Sequence, residues 1–130
     1  MTDYLFDTHA LVWWWTGDAA LPVRAGSVIS DTSNGIYVSA ASAWEIATKC
    51  CVGKWLEAAP VLANFDDLLA ADGFFDLAVS VDHGLLAGSI IGDHRDPFDR
   101  MIAAQAISED LVVITRDPAL AALGCNTFWE

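Results

Sequence analysis

Four short apolar runs, Tyr4–Phe6, Ile36–Val38, Leu77–Val79 and Val112–Ile114, are separated by longer stretches with helix signals. A strand buried on both faces reads as such a run, and parallel strands need a crossover helix between them. The alternation therefore predicts βαβ units: a short central parallel sheet of four to five strands with helices on both faces, a three-layer α/β/α fold. Helices are expected over Leu11–Trp15, from Pro22 to Ser33, over Ser39–Cys51, and from Pro60 with Leu62, Phe65, Leu68 and Leu69 at helical spacing. Three more follow: one capped by Asp82 towards Ile91, one over Pro97–Ser108, and a short one from Pro118. Thr127–Trp129 offers a terminal edge strand, and 130 residues suit one domain spanning 1–130. In a sheet of this kind, chemistry falls beyond the carboxyl ends of the strands.

Charge narrows the function. Eighteen acids oppose six bases, a formal net charge of −12, which excludes a protein that grips nucleic acid by bulk positive potential. At 55% apolar residues the chain has ample bulk to bury. Cys50, Cys51 and Cys125 have neither metal-ligand spacing nor an even number, so a reducing cytoplasm is the expected setting. Met1–Tyr4 lacks the basic-then-apolar pattern of a leader peptide, and no apolar run is long enough to cross a bilayer.

Four acids fall at the same edge of the predicted sheet. Asp7 follows the first strand and Asp117 the fourth, Glu45 lies early in the helix after the second strand, and Asp99 lies in the first turn of the helix before the fourth. Four carboxylates around one depression repel one another, a conflict that Mg²⁺ or Mn²⁺ resolves. Each also has a structural reading. Ser42-Ala43-Trp44-Glu45 has the form of a capping box, Asp96 and Asp99 resemble a cap and its third-position acid, and Asp117 precedes Pro118 as a cap would. Asp7, an acid directly behind a buried strand, has no such reading, and the convergence of all four favours a site.

The stretches carrying these acids resemble the motifs of PIN-domain nucleases. Leu5-Phe6-Asp7-Thr8-His9-Ala10-Leu11-Val12-Trp13-Trp14 resembles the opening motif, and Ser39 to Lys49 with its Trp44-Glu45-Ile46 resembles the second. His94-Arg95-Asp96-Pro97-Phe98-Asp99-Arg100 with the following Met101 to Ala106 resembles the third, and Ile114-Thr115-Arg116-Asp117 the last. Within the family the chain is most similar to VapC-type toxins of toxin–antitoxin pairs. The resemblance implies a PIN-like fold and a Mg²⁺- or Mn²⁺-dependent endoribonuclease that cleaves RNA, forms a homodimer and is restrained by a small antitoxin. The family's acids map onto Asp7, Glu45, Asp99 and Asp117, with Asp7, Asp99 and Asp117 expected around a central metal and Glu45 supporting a second metal or the attacking water. In-line attack would leave a 5′-phosphate. Thr115 matches a hydroxyl that often accompanies the last acid, and Asp96 is left as a helix cap.

Four of the six bases, Lys49, Arg95, Arg100 and Arg116, lie within five residues of a site acid, which suggests a local basic rim for substrate. His94, beside Arg95, is expected either to touch phosphate or to hold the loop. Lys49 stands four residues after Glu45, the spacing of a helical ion pair. His9 reads as a helix-start hydrogen-bonding residue, His83 as surface or core, and the cysteines as small helix residues. The six tryptophans read mostly as core or interface residues, although Trp13, Trp14 and Trp15 cannot all face one core from one helix, so one at least should be exposed or covered by a partner. Two other acid-rich chemistries fit less well. A phosphatase of the haloacid dehalogenase type needs a second Asp where His9 stands, and a receiver-like domain needs a Lys after a late strand, where this chain has Arg116-Asp117-Pro118.

Overall fold

A computed structural model of the chain describes residues 2–130. Five strands, β1 (Asp3–Phe6), β2 (Gly35–Ser39), β3 (Phe75–Leu77), β4 (Val112–Ile114) and β5 (Thr127–Phe128), form one sheet in the order β3-β2-β1-β4-β5, every pair parallel. Among the described residues the eight α-helices are α1 (Thr8–Thr16), α2 (Val23–Ser30), α3 (Ala40–Cys51), α4 (Ala59–Ala63), α5 (Phe65–Asp72), α6 (Val81–Ser89), α7 (Pro97–Glu109) and α8 (Pro118–Ala122), with a single 3-10 turn over Leu56–Ala58.

Alternation along the strands gives the layers. Phe6, Ile36, Val38 and Ile114 point into one core with Leu11 and Val12 of α1, Ile29 of α2, Ile46 of α3 and Val61 of α4. Leu5 and Val113 point the other way, onto Ile102, Ala103 and Ala106 of α7 and Leu120 of α8. The three central strands, β1, β2 and β4, are thus covered on both faces, which is why each reads as an unbroken apolar run. The chain leaves β1 in one direction through β2 and β3, then returns to its other side for β4 and β5. The carboxyl ends of β1 and β4 flank the point where this order reverses, and a crevice opens there.

Local departures from expectation have identifiable causes. The third strand is Phe75–Leu77, two residues earlier than the apolar run Leu77–Val79. It is an edge strand, pairing only with β2, so Asp76 can face solvent within it while Val79 stays exposed beyond its end. The helix from Pro60 breaks at Asn64 (φ −123°, ψ 20°), whose side-chain amide donates to the Pro60 carbonyl. The break shifts the helical phase, so α4 buries Val61 and leaves Leu62 exposed. α6 is capped by Ser80 rather than Asp82: its hydroxyl accepts from the His83 N–H while His83 Nδ1 accepts from the Ser80 N–H. α2 ends at Ser30, where Asp31 Oδ1 takes hydrogen bonds from Ser33 N–H and Oγ, short of the expected Ser33.

Trp13, Trp14 and Trp15 are all half-buried, not divided into core and solvent. Trp14 and Trp15 both donate their indole N–H to Asp72 Oδ2, at 2.9 and 2.8 Å, and pack on Phe74. Trp13 turns the other way, towards the carboxyl edge of the sheet. Gly17 then closes α1 in the left-handed conformation (φ 68°), its N–H reaching back to the carbonyls of Trp13 and Trp14.

Candidate active site

Asp7 and Thr8 follow β1 without an intervening loop, both buried. Across the strand boundary, Thr115 at the end of β4 donates from Oγ1 to Asp7 Oδ2 at 2.8 Å. The same Oγ1 accepts the backbone N–H of Asp117 at 3.0 Å. One hydroxyl therefore fixes the Asp7 carboxylate and the backbone that carries Asp117. Asp117 caps α8, its Oδ1 accepting from Ala119 N–H at 2.9 Å.

Glu45 reaches the edge from the second turn of α3. The capping-box reading of Ser42 and Glu45 is corrected here. β2 runs straight into α3, so the cap is Ser39, whose Oγ accepts from Ala41 N–H. Ser42 is buried and hydrogen-bonds Thr8 Oγ1 at 2.9 Å, bracing α3 against the start of α1. Ser39 also donates to Gln105 of α7, whose amide reaches the Ala78 carbonyl, so α3 is tied to both neighbours. Glu45 itself is 2% exposed, with Lys49 bonded to its Oε2.

Asp99 lies in the first turn of α7. Asp96 caps that helix, accepting from Phe98 N–H and Asp99 N–H. Asp99 Oδ2 is held by His94 Nε2 at 2.7 Å. Arg100 is placed differently from the rest of the expected basic rim. Its guanidinium donates to the backbone carbonyls of Ala87, Ile90 and His94, because its helix face packs against α6 and the loop that follows. Arg95 and Arg116 are exposed, and Lys49 is half-buried in its ion pair.

The electrostatics record how crowded these acids are. Burial drives the Asp7 carboxyl up from 3.8 to about 7, against the hydrogen bond from Thr115, and Asp99, Glu45 and Asp117 add to the rise. Burial also raises Asp99, opposed by His94 and reinforced by Asp96 and Glu45. His94 is raised in turn, chiefly because its bond to Asp99 favours the protonated imidazole.

Among the described residues, no three His, Cys, Asp or Glu side chains close on one point as they stand. The donor set nevertheless fits a hard divalent cation. On each of Asp7, Asp99, Asp117 and Glu45, one carboxylate oxygen is engaged by the protein, and the other has no protein donor among the described residues. No buried side-chain polar atom there lacks a partner, so the second oxygens are open to solvent or to a ligand. Oxygen-only donors with excess negative charge are what Mg²⁺ or Mn²⁺ takes.

Beside Asp7 and Asp117 opens a cleft of about 400 Å³, lined also by His9, Trp13, Arg116 and Pro118. His9 lies in the first turn of α1, but among the described residues its ring makes no hydrogen bond there; it packs at a tilt of 31° on Trp55, centroids 4.6 Å apart, and lies 6.0 Å from Trp13. Sequence reasoning also passed over Thr8 and Ser42, whose only signal was their nearness to Asp7 and Glu45.

The model of the PIN domain matches residues 4–124, taking in all four acids and every strand end that carries them. The chain belongs to the PIN domain family. This PIN domain superposes with a TM-score of 0.69 on a chain of VapBC2 from Rickettsia felis bound to a DNA fragment from their promoter, at 14% identity and covering 99% of this chain and 100% of that one. It is likewise similar to a chain of FitAcB from Neisseria gonorrhoeae, with a TM-score of 0.58, 20% identity and 96% of each chain covered. A domain of a functionally unknown protein from Methanocaldococcus jannaschii gives 0.59 at 12% identity, covering 100% of this chain and 91% of that one. At these identities the likeness is one of fold. No curated protein matches. Among the described residues, no helix of this PIN domain is long and apolar enough to cross a membrane.

Proposed function

We propose that this PIN domain, taken as one unit over 1–130, is an endoribonuclease dependent on Mg²⁺ or Mn²⁺ and the toxin of a toxin–antitoxin pair. The observation that carries the reading is Asp7. It is a buried carboxyl at the point where the strand order reverses, raised to about 7 and facing three further acids. A fold does not keep such a cluster for stability, because burying uncompensated like charges is costly. Family membership supports a nuclease, and the likeness to VapBC2 and FitAcB, both named as assemblies, supports a protein partner.

In this reading Asp7, Asp99 and Asp117 would hold the cation, with Glu45 beside them. When bound, the cation supplies Lewis-acid stabilisation of the scissile phosphate and a more acidic water. Thr115 keeps one Asp7 oxygen pinned and aims the other at the cleft. His94, whose bond to Asp99 favours the protonated imidazole, would lend positive charge where a phosphodiester approaches. Lys49 pairs with the buried Glu45 carboxylate. Arg116 and Arg95 give an acidic chain local attraction for RNA. A short partner carrying Arg or Lys against the four acids would displace the metal, and two chains in a symmetric dimer would join their basic rims. The three free thiols suit a reducing cytoplasm.

Purified protein incubated with RNA and Mn²⁺, with and without EDTA, tests the reading. Cleavage that needs the metal and disappears in Asp99→Asn is expected. Metal-independent cleavage, or none under any divalent ion, would overturn it. Light scattering at micromolar concentration tests the dimer, and a monomer with full activity would rule it out.

A further inference from the structure

Trp13 is the one of three consecutive tryptophans that packs against neither buried core. Its neighbours lie along the edge of the cleft. Arg116 Cζ sits 4.4 Å over the Trp13 ring; His9 lies 6.0 Å from Trp13 and 4.6 Å from Trp55; Lys49 Nζ is 5.6 Å from the Trp55 ring. Arg116, Trp13, His9, Trp55 and Lys49 thus form a continuous row with a cation at each end. Both ends are anchored to the acid cluster: Arg116 precedes Asp117, and Lys49 is paired with Glu45. Trp13 and Trp55 are half-buried and flank the His9 ring at a tilt, and His9 is the exposed member. His9, Trp13 and Arg116 also share the cleft with Asp7 and Asp117.

We infer that this row is a base-stacking subsite, in which the base of an unpaired nucleotide flanking the scissile phosphate lies on the His9 ring while Arg116 and Lys49 meet the neighbouring phosphates. The inference rests on the ribonuclease reading and names its substrate class as single-stranded RNA. Aromatic faces interleaved with cations are the means by which proteins hold single strands without reading sequence, since every base has a π-face. A chain of net charge −12 gains little RNA affinity from its surface at large, so a stacking platform supplies attraction that bulk charge does not. Bases paired in a duplex cannot reach such a platform.

The test uses the intact protein and a set of short, labelled single-stranded RNAs, each with one abasic position walked across the cleavage site. Binding is read by fluorescence anisotropy in EDTA at low salt, where no cleavage occurs, and kcat/KM is then read in Mn²⁺. One abasic position should weaken binding roughly tenfold, the scale of one lost base–aromatic contact. His9→Ala should bind the intact RNA as weakly as wild type binds that abasic one and should no longer distinguish the two. His9→Phe should restore the distinction. Duplex RNA binding as tightly as the single strand, no RNA binding at all, or a His9→Ala protein as sensitive to the abasic position as wild type would each overturn the subsite. Abasic-dependent binding without cleavage in Mn²⁺ would keep the subsite and defeat the ribonuclease reading. Cleavage indifferent to every abasic position would do the reverse.

Discussion

Thr115 Oγ1 lies 2.8 Å from Asp7 Oδ2 and 3.0 Å from the Asp117 backbone nitrogen, so one hydroxyl joins the ends of β1 and β4 and serves two acids at once. Thr115→Val keeps the shape and removes both bonds. The Asp117 N–H is then left without its partner, which costs about 1–3 kcal/mol of stability. Asp7 loses the one influence that lowers its pKa. Activity should fall by roughly 10- to 100-fold, the usual scale for losing the partner that orients a ligand, and Thr115→Ser should recover most of it. Steady-state cleavage with chemical denaturation of both variants checks this. A fully active Thr115→Val would show that the hydroxyl does not orient Asp7.

Asp7 also makes metal-free stability depend on pH. Its folded-state pKa of about 7 lies above the ordinary 3.8, so between those values the folded chain holds a proton that the unfolded chain has lost. Stability therefore declines as pH rises from about 4 to 7 and stays low above that, by up to about 4 kcal/mol at 1.36 kcal/mol per unit. Asp7→Asn cannot ionise, so in EDTA it should be more stable than wild type at pH 8 and nearly equal at pH 4, while losing cleavage. Urea melts at the two pH values decide it. A wild type as stable as Asp7→Asn at pH 8 would mean that the Asp7 charge is already compensated without metal.

Asp96 and Asp99 lie three residues apart, yet they should separate cleanly. Asp96 takes two backbone N–H groups at the start of α7, whereas Asp99 binds His94 and acts electrostatically on Asp7. Asp96→Ala should cost about 1 kcal/mol, the usual loss of an N-cap, and Asp96→Asn less, with cleavage retained in both. Asp99→Asn should fold normally and lose cleavage. The opposite pattern in a cleavage assay would exchange the two roles.

Arg100 holds the loop before α7 through three carbonyls. Arg100→Ala should destabilise the chain by about 1–3 kcal/mol, since it leaves those acceptors without their charged donor. Faster amide exchange should appear in residues 90–96. RNA affinity should fall only as far as the loop loosens around His94. A large affinity loss with unchanged exchange would return Arg100 to the substrate-binding rim.

The apolar runs were legible because burial on both faces leaves no alternation to misread, and three of the four runs fall on the strands they predict. The exception, β3, is an edge strand whose Asp76 interrupts the run, and no local rule reports which strand will be at an edge. Helix starts were legible where a cap is Asp before Pro, as at Asp96 and Asp117. The start of α6 was not, because His83 takes the place usually held by Glu in a capping box; α3 starts where expected, but its cap is Ser39 and not Ser42 because β2 enters it without a loop. The four acids could be placed at one edge from strand order alone. Lys49 on Glu45 and Asp117 at the start of α8 were also legible, from local spacing. Thr8 with Ser42, His9 with Trp55 and Thr115 with Asp7 as a hydrogen bond were not, because they are contacts between segments that no spacing connects.

The partners Asp7 and Thr115 are separated by 108 residues of chain. Asp7 meets Asp117 only once β4 has slotted in beside β1, because the Thr115 hydroxyl holds both. Until that long loop of chain closes, the carboxylates are strangers in solution, with nothing to draw a cation between them. A chain lacking residues 112–117 would keep Asp7, Glu45 and Asp99 but lose the hydroxyl and the fourth acid that complete the cluster. The site is thus assembled by sheet closure and not by any one segment of the chain.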